Sequence, residues 1–159
     1  MKLSKIILFV CTGNSCRSVM AEGIFRKMLD ELGRDDVRVI SAGTAAPKGM
    51  RPPPAVEKVM RGEGVDVSVH RATSLTIDSI EEADLVLVME KRHRQAVLEM
   101  NPNASGKVFL LKKFSPNPEE RSLDISDPIG APLPVYQEVL KEIKSCLQGL
   151  LESLERYLR

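Results

Sequence analysis

Ile6, Ile7, Leu8, Phe9 and Val10 form an unbroken apolar run with no polar position to mark a solvent face. A β-branched-rich run of this length predicts a strand buried on both sides, as in a parallel sheet. The period then changes. Ala21, Ile24, Phe25, Met28, Leu29 and Leu32 recur at helical spacing, and Gly33 follows where a helix is capped. Residues 37–41 predict a second strand, residues 42–53 a turn-rich stretch, and residues 54–63 a short helix stopped by Gly64. A third buried strand at 84–89, a helix at 90–100 and a fourth strand at 107–111 complete the alternation. Strand–helix alternation of this kind predicts an α/β fold with a parallel sheet.

Residues 114–134 carry six prolines or glycines and predict a long loop, a length usually tied to function. Val139, Leu140, Ile143, Leu147, Leu150, Leu151, Leu154 and Leu158 then share one face of a long amphipathic helix, with Cys146 beside that stripe as a small packed thiol. No repeat or linker interrupts the chain, so residues 1–159 are expected to form one domain.

Charge adds little at the global level. Twenty-three Lys plus Arg against 22 Asp plus Glu leave a formal net charge of +1, so no overall field points to nucleic acid or a membrane surface. Lys91, Arg92, His93 and Arg94 make one basic cluster, expected to be a solvated helix face, and no aromatic residues interleave it as nucleic-acid binding would require. The apolar runs fall far short of the roughly 20 residues that span a bilayer, and the N-terminal one is too short for a secretory signal. Three cysteines, two of them five positions apart, do not resemble a disulfide framework. The expectation is a cytoplasmic protein with reduced thiols.

The chemistry concentrates between the first strand and the first helix, in Cys11-Thr12-Gly13-Asn14-Ser15-Cys16-Arg17-Ser18. A loop at the carboxyl end of a parallel strand, with a helix N-terminus behind it, presents unpaired N–H groups to an anion. No Gly-Lys-Ser/Thr closes it, so it is not a nucleotide-binding loop of the Walker type. The N–H groups, the helix dipole and Arg17 all favour thiolate over thiol, which makes Cys11 a nucleophile. The same donors suit a phosphoryl group, and Arg17 can grip two of its oxygens at once. Ser18 is placed to donate a hydrogen bond to sulfur, while Gly13 and Asn14 suit left-handed backbone geometry. Phosphoryl transfer also needs an acid for the leaving group and a base for water. Asp127, stiffened by Pro128 in the long loop, is the first candidate for both, with Asp124 a nearby competitor.

Cys-x5-Arg-Ser opening a helix, Ser41-Ala42-Gly43-Thr44, Val65-Asp66 through His70-Arg71-Ala72, and a late Asp127-Pro128 together resemble the low-molecular-weight protein tyrosine phosphatase family along nearly the whole chain. The resemblance implies a three-layer domain with a four-stranded parallel sheet flanked by helices and a phosphate-binding loop after the first strand. It also implies a cysteinyl-phosphate intermediate with no metal or cofactor, and a phosphorylated protein or peptide as substrate. Cys11, Arg17 and Asp127 would be catalytic. Thr12, Gly13, Asn14, Ser15, Cys16, Arg17 and Ser18 would surround the phosphate, with Asn14, Ser18, Ser41 and His70 supporting the loop. Cys16 matches a second loop cysteine that in the family pairs reversibly with the nucleophile.

Several positions depart from the family pattern. Val19 replaces proline. Ile129 replaces the aromatic residue that commonly follows Asp-Pro, and residues 45–50 contain no aromatic either, so the usual walls for a phenol ring are missing. Ser15 is small and polar where tyrosine-directed members often have a bulky aliphatic and the protein arginine phosphatase branch has threonine. Phosphotyrosine is the first expectation for substrate and phosphoarginine the second. A phosphocysteine carrier would not need Arg17 and Asp127 to break its intermediate. An arsenate reductase of the thioredoxin-coupled type needs a mid-chain relay cysteine, and none lies between Cys16 and Cys146. A phosphoprotein-binding module would have no use for a nucleophile.

Overall fold

The computed structural model of the protein describes residues 4–117 and 122–158. Its centre is a four-stranded sheet of β1 (Lys5–Cys11), β2 (Val37–Gly43), β3 (Leu85–Val88) and β4 (Val108–Leu110). The order is β2-β1-β3-β4 with every pairing parallel. Among the described residues, five α-helices follow or connect the strands: α1 (Arg17–Glu31), α2 (Pro54–Gly62), α3 (Ile77–Glu82), α4 (Lys91–Met100) and α5 (Leu133–Tyr157).

The unbroken apolar run in β1 has a direct structural cause. Its side chains alternate between two cores, one on each face of the sheet. Ile7 and Phe9 pack with Met20, Ile24, Phe25, Ile143, Leu147 and Leu150 of α1 and α5, where Phe9 meets Phe25 edge-on at a centroid distance of 6.0 Å. Leu8 and Val10 face the other way, onto Ile80, Val86, Val97 and Ala104. β1 thus belongs to both cores, and burial on two sides leaves no position for a polar residue.

Four strands and four of the five helices lie where the apolar pattern predicts them. α3 was not legible, because it buries only Ile80 and owes its start to a reciprocal capping pair between Thr76 and Ser79. α1 begins at Arg17, four residues before the periodic apolar stretch, since Arg17, Ser18, Val19 and Met20 are all buried as its first turn. The 114–134 loop starts after a 3-10 turn (Leu111–Phe114) and runs into α5; its positions 118–121 lie outside the described residues. Among the described residues, no helix is long and apolar enough to cross a membrane.

The topology creates a switch point. From β1 the chain passes to β2 on one side, then crosses to β3 on the other. A crevice opens outside the carboxyl ends of strands at such a point, and Cys11 ends β1 there while Glu90 follows β3.

α5 is keyed against the turn that precedes the long loop. A Cβ added at Gly149 would lie 2.0 Å from the Phe114 carbonyl oxygen and 3.1 Å from its carbon, so neither backbone can yield without moving the helix. Gly149→Ala is expected to lower unfolding free energy by about 3 kcal/mol, overriding the roughly 1 kcal/mol that alanine gains over glycine inside a helix. Urea denaturation of both proteins checks this, and an unchanged or raised midpoint contradicts it.

Candidate active site

The loop from Cys11 to Arg17 is held in place by the chain beyond β2. The Cys11 and Thr12 carbonyls accept hydrogen bonds from the Thr44 and Ala45 amides, each at 2.9 Å. Glycine at 43 permits that approach, because a Cβ there would stand 2.5 Å from the Thr12 oxygen and 2.9 Å from the Asn14 nitrogen. Asn14 is the residue in the left-handed region, with φ of 50°, and Gly13 is not. Gly13 is constrained differently: a Cβ would sit 3.2 Å from Ser15 Oγ.

Asn14 is fully buried and every polar atom of its side chain is engaged. Nδ2 donates to Ser18 Oγ and to Ser41 Oγ at 2.9 Å each, and Oδ1 accepts from the Thr73 amide at 2.8 Å. Its backbone carbonyl accepts from His70 Nε2 at 2.9 Å. Ser41 Oγ in turn donates to Glu22, which also pairs with Arg26. All four of the expected supporting residues therefore converge on the loop, and Glu22 joins them.

Ser18 Oγ lies 3.0 Å from Cys11 Sγ. Because that oxygen already accepts from Asn14, its proton is free to point at sulfur, where it stabilises negative charge. The first backbone bond of α1 runs from the Met20 amide to the Cys16 carbonyl. The amides ahead of it have no carbonyl four residues back within the helix and are available to an anion.

Arg17 is 1% exposed, the largest of the fully buried side chains. Its Nη1 donates to Glu90 Oε2 at 2.5 Å and to the Ile125 carbonyl at 2.6 Å, which uses both hydrogens of that nitrogen. The Nε–Nη2 edge remains as a fork for two oxygens. Nη2 is 3.5 Å from Asp127 Oδ2, so acid and guanidinium face the same space. The Ile125 amide, bonded to the Met89 carbonyl at 2.8 Å, brings this part of the long loop to the end of β3. Asp124 is already committed, since its Oδ1 accepts from the Lys91 amide at the start of α4 at 2.8 Å. Asp127 makes a local bond to the Ile129 amide and keeps its other oxygen toward Arg17.

Cys16 is buried, and burial pushes its thiol up to about 11, only partly countered by a hydrogen bond with Ser15. No disulfide joins Cys11, Cys16 or Cys146 among the described residues. The Tyr136 hydroxyl of α5 lies against Cys16 and the Gly130 backbone.

Glu90 and His93, like Glu22, were missed in the sequence. Burial alone would raise the Glu90 carboxyl, but hydrogen bonds from Arg92 and Arg17 outweigh it and hold the group below its usual range. His93, expected on a solvated face, is 1% exposed. Its Nδ1 accepts from the Glu90 amide at 3.1 Å, and its Nε2 is 2.8 Å from Thr12 Oγ1. A run of four basic residue types hid a helical fact: the third, His93, faces inward while Lys91 and Arg92 remain exposed. The usable signal was Glu90 and His93 three residues apart at the start of a helix that follows the strand beside β1.

Burial, reinforced by Arg17, pushes His93 down from 6.5 to about 4. A neutral ring whose Nδ1 accepts must carry its proton on Nε2, so Nε2 donates to Thr12. As pH falls from about 6.5 to about 4 the unfolded chain binds a proton that the folded one refuses, so stability drops across that window. The expected loss attributable to His93 is no more than about 3 kcal/mol. Urea midpoints measured over that range should fall more steeply for the native protein than for His93→Gln, and parallel slopes would contradict the assignment.

The sequence profile of the family described as low molecular weight phosphotyrosine protein phosphatase matches residues 6–159. A probable low molecular weight protein-tyrosine-phosphatase of Ralstonia nicotianae is 39% identical over 140 residues, covering 88% of this chain and 89% of that protein. A protein-arginine-phosphatase of Bacillus subtilis is 36% identical over 151 residues, covering 94% and 97%. The crystal structure of a low molecular weight protein tyrosine phosphatase from T. tengcongensis superposes with a TM-score of 0.86 at 39% identity, covering 94% of this chain and 99% of that one.

Proposed function

The chain belongs to the low molecular weight phosphotyrosine protein phosphatase family, and we propose that it hydrolyses phosphorylated protein side chains by transferring the phosphoryl group to Cys11 Sγ. The observation that supports this most is the meeting of three groups at the carboxyl end of β1. Cys11 has a hydroxyl donor at 3.0 Å, Arg17 a free guanidinium edge, and Asp127 a carboxylate 3.5 Å from that guanidinium.

Sulfur attacks phosphorus while the bond to the leaving oxygen or nitrogen breaks. Asp127 gives its proton to that leaving atom, and the Arg17 fork with the loop amides holds the three equatorial oxygens as charge spreads over them. Asp127, now ionised, takes a proton from water. The water attacks phosphorus, the S–P bond breaks, and Ser18 stabilises the departing thiolate. Glu90 and the Ile125 carbonyl act one step back by fixing the Arg17 plane. The reducing cytoplasm, where Cys11 stays out of a disulfide, is the compartment that suits this chemistry.

Phosphotyrosine is the first substrate reading, by family membership. Three observations favour a second, phosphoarginine. Ser15 leaves room and a hydroxyl beside the loop, Ile129 is 56% exposed where an aromatic wall is usual, and a relative of 36% identity is a protein-arginine-phosphatase.

Cys11→Ser is expected to abolish turnover of both phosphopeptides in a metal-free, reducing assay. Asp127→Asn should lose about a hundredfold or more on a phenol of high pKa and much less on an activated aryl phosphate that leaves without protonation. Residual turnover by Cys11→Ser, or equal losses on both leaving groups for Asp127→Asn, would overturn the respective roles.

Ser15→Ile should move the ratio of phosphotyrosine to phosphoarginine kcat/KM upward by roughly tenfold to two-hundredfold, because isoleucine offers a phenol ring an apolar surface and denies a guanidinium its hydrogen bond. A ratio that does not move removes Ser15 as the selector.

A further inference from the structure

One carboxylate serves two guanidinium groups at the mouth of the loop. Glu90 holds the buried Arg17 through Oε2, and it holds Arg92 through both oxygens, with Arg92 Nε 3.0 Å from Oε1 and Nη2 3.3 Å from Oε2. Arg92 Nη2 also donates to Thr12 Oγ1 at 3.0 Å, the residue directly after Cys11. A long side chain with 61% of its surface exposed is therefore fixed at three points to the rim of the site. Free surface arginines lose rotamer entropy when they bind, but this one has already lost it.

Thr12 tightens the geometry. Its oxygen accepts from both His93 Nε2 and Arg92 Nη2, so neither donor can release the other without leaving a lone pair unfilled. The remaining edge of Arg92, its Nη1 with two hydrogens, has no partner among the described residues. The nearby acids are engaged elsewhere: Asp124 with the Lys91 amide, Asp127 with Arg17 and the Ile129 amide. Lys91 stands exposed beside it and adds to the same sign of charge.

We propose that Arg92 is a specificity-determining residue that pairs with an acidic side chain next to the phosphorylated residue of the substrate. Arg17 would take the phosphoryl group at the floor while Arg92 takes a neighbouring carboxylate at the rim, and Glu90 sets the spacing between them. The proposal rests on the phosphatase reading of the Cys11 loop and adds a sequence preference to it. Nothing in the loop itself reads the residue next door, because its donors are directed at phosphate.

Matched phosphopeptides, in phosphotyrosine and phosphoarginine series, carry aspartate or alanine immediately before or after the modified residue. The readout is the ratio of kcat/KM for the acidic peptide to that for the neutral one, in which any general damage to the site cancels. The native protein should prefer an acidic neighbour on at least one side by about threefold to fivefold, the range expected of a partly exposed ion pair. Arg92→Gln should bring the ratio close to one, Arg92→Lys should keep part of it, and 0.5 M KCl should flatten the native preference. A native ratio of one, or a ratio unchanged in Arg92→Gln, overturns the role of Arg92 while leaving the phosphatase reading intact. Failure of the native protein to hydrolyse any of these peptides without metal overturns both.

Discussion

The site depends on one backbone conformation, the left-handed turn at Asn14. A non-glycine residue at φ of 50° carries a conformational penalty, and only asparagine or aspartate lowers it appreciably. Here the penalty is offset by four hydrogen bonds that reach into α1, β2 and the 70–73 segment. Release of that turn would deprive Ser18 of the donor that aims its proton at Cys11, and His70 of its acceptor. The environment of Cys11 and the packing of three separate chain segments are consequently one structural question.

Arg17 shows how the fold sustains a charge where it should be costly. A guanidinium with 1% of its surface exposed is stable only if its hydrogens are met, and a carboxylate and a carbonyl meet two of them. What is left over is a planar edge of fixed orientation. A lysine in the same place would be a point charge without that edge, so the geometry of the site and the type of the residue explain each other. The near-neutral chain is no obstacle, since the positive field is made locally by Arg17, Arg92 and the helix terminus.

The sequence made some of this plain and hid the rest for identifiable reasons. β1 was legible because burial on two faces leaves an uninterrupted apolar run, and the Cys11 loop because its residue types make sense together. Asn14, Ser18, Ser41 and His70 were reachable through a resemblance that spans most of the chain. Glu90 and His93 were not, since a charged cluster reads as solvated unless one knows which of its members turns inward. α3 was missed because local hydrogen bonds at Thr76 and Ser79, rather than an apolar stripe, define it. Asp124 and Asp127 looked alike apart from one proline, and each accepts a backbone amide, from Lys91 and Ile129 respectively; what separates them is that Asp127 keeps an oxygen 3.5 Å from Arg17.

The partners of Arg17 lie far along the chain. Glu90 follows it by 73 residues and Ile125 by 108. During synthesis the first strand and helix therefore emerge with a cation destined for the interior and nothing to neutralise it. β1 also waits for β3, whose pairing with it begins at Leu85. The pocket around Arg17 is therefore a late product of folding, complete only when β1, the residue after β3 and the loop ahead of α5 have all come together.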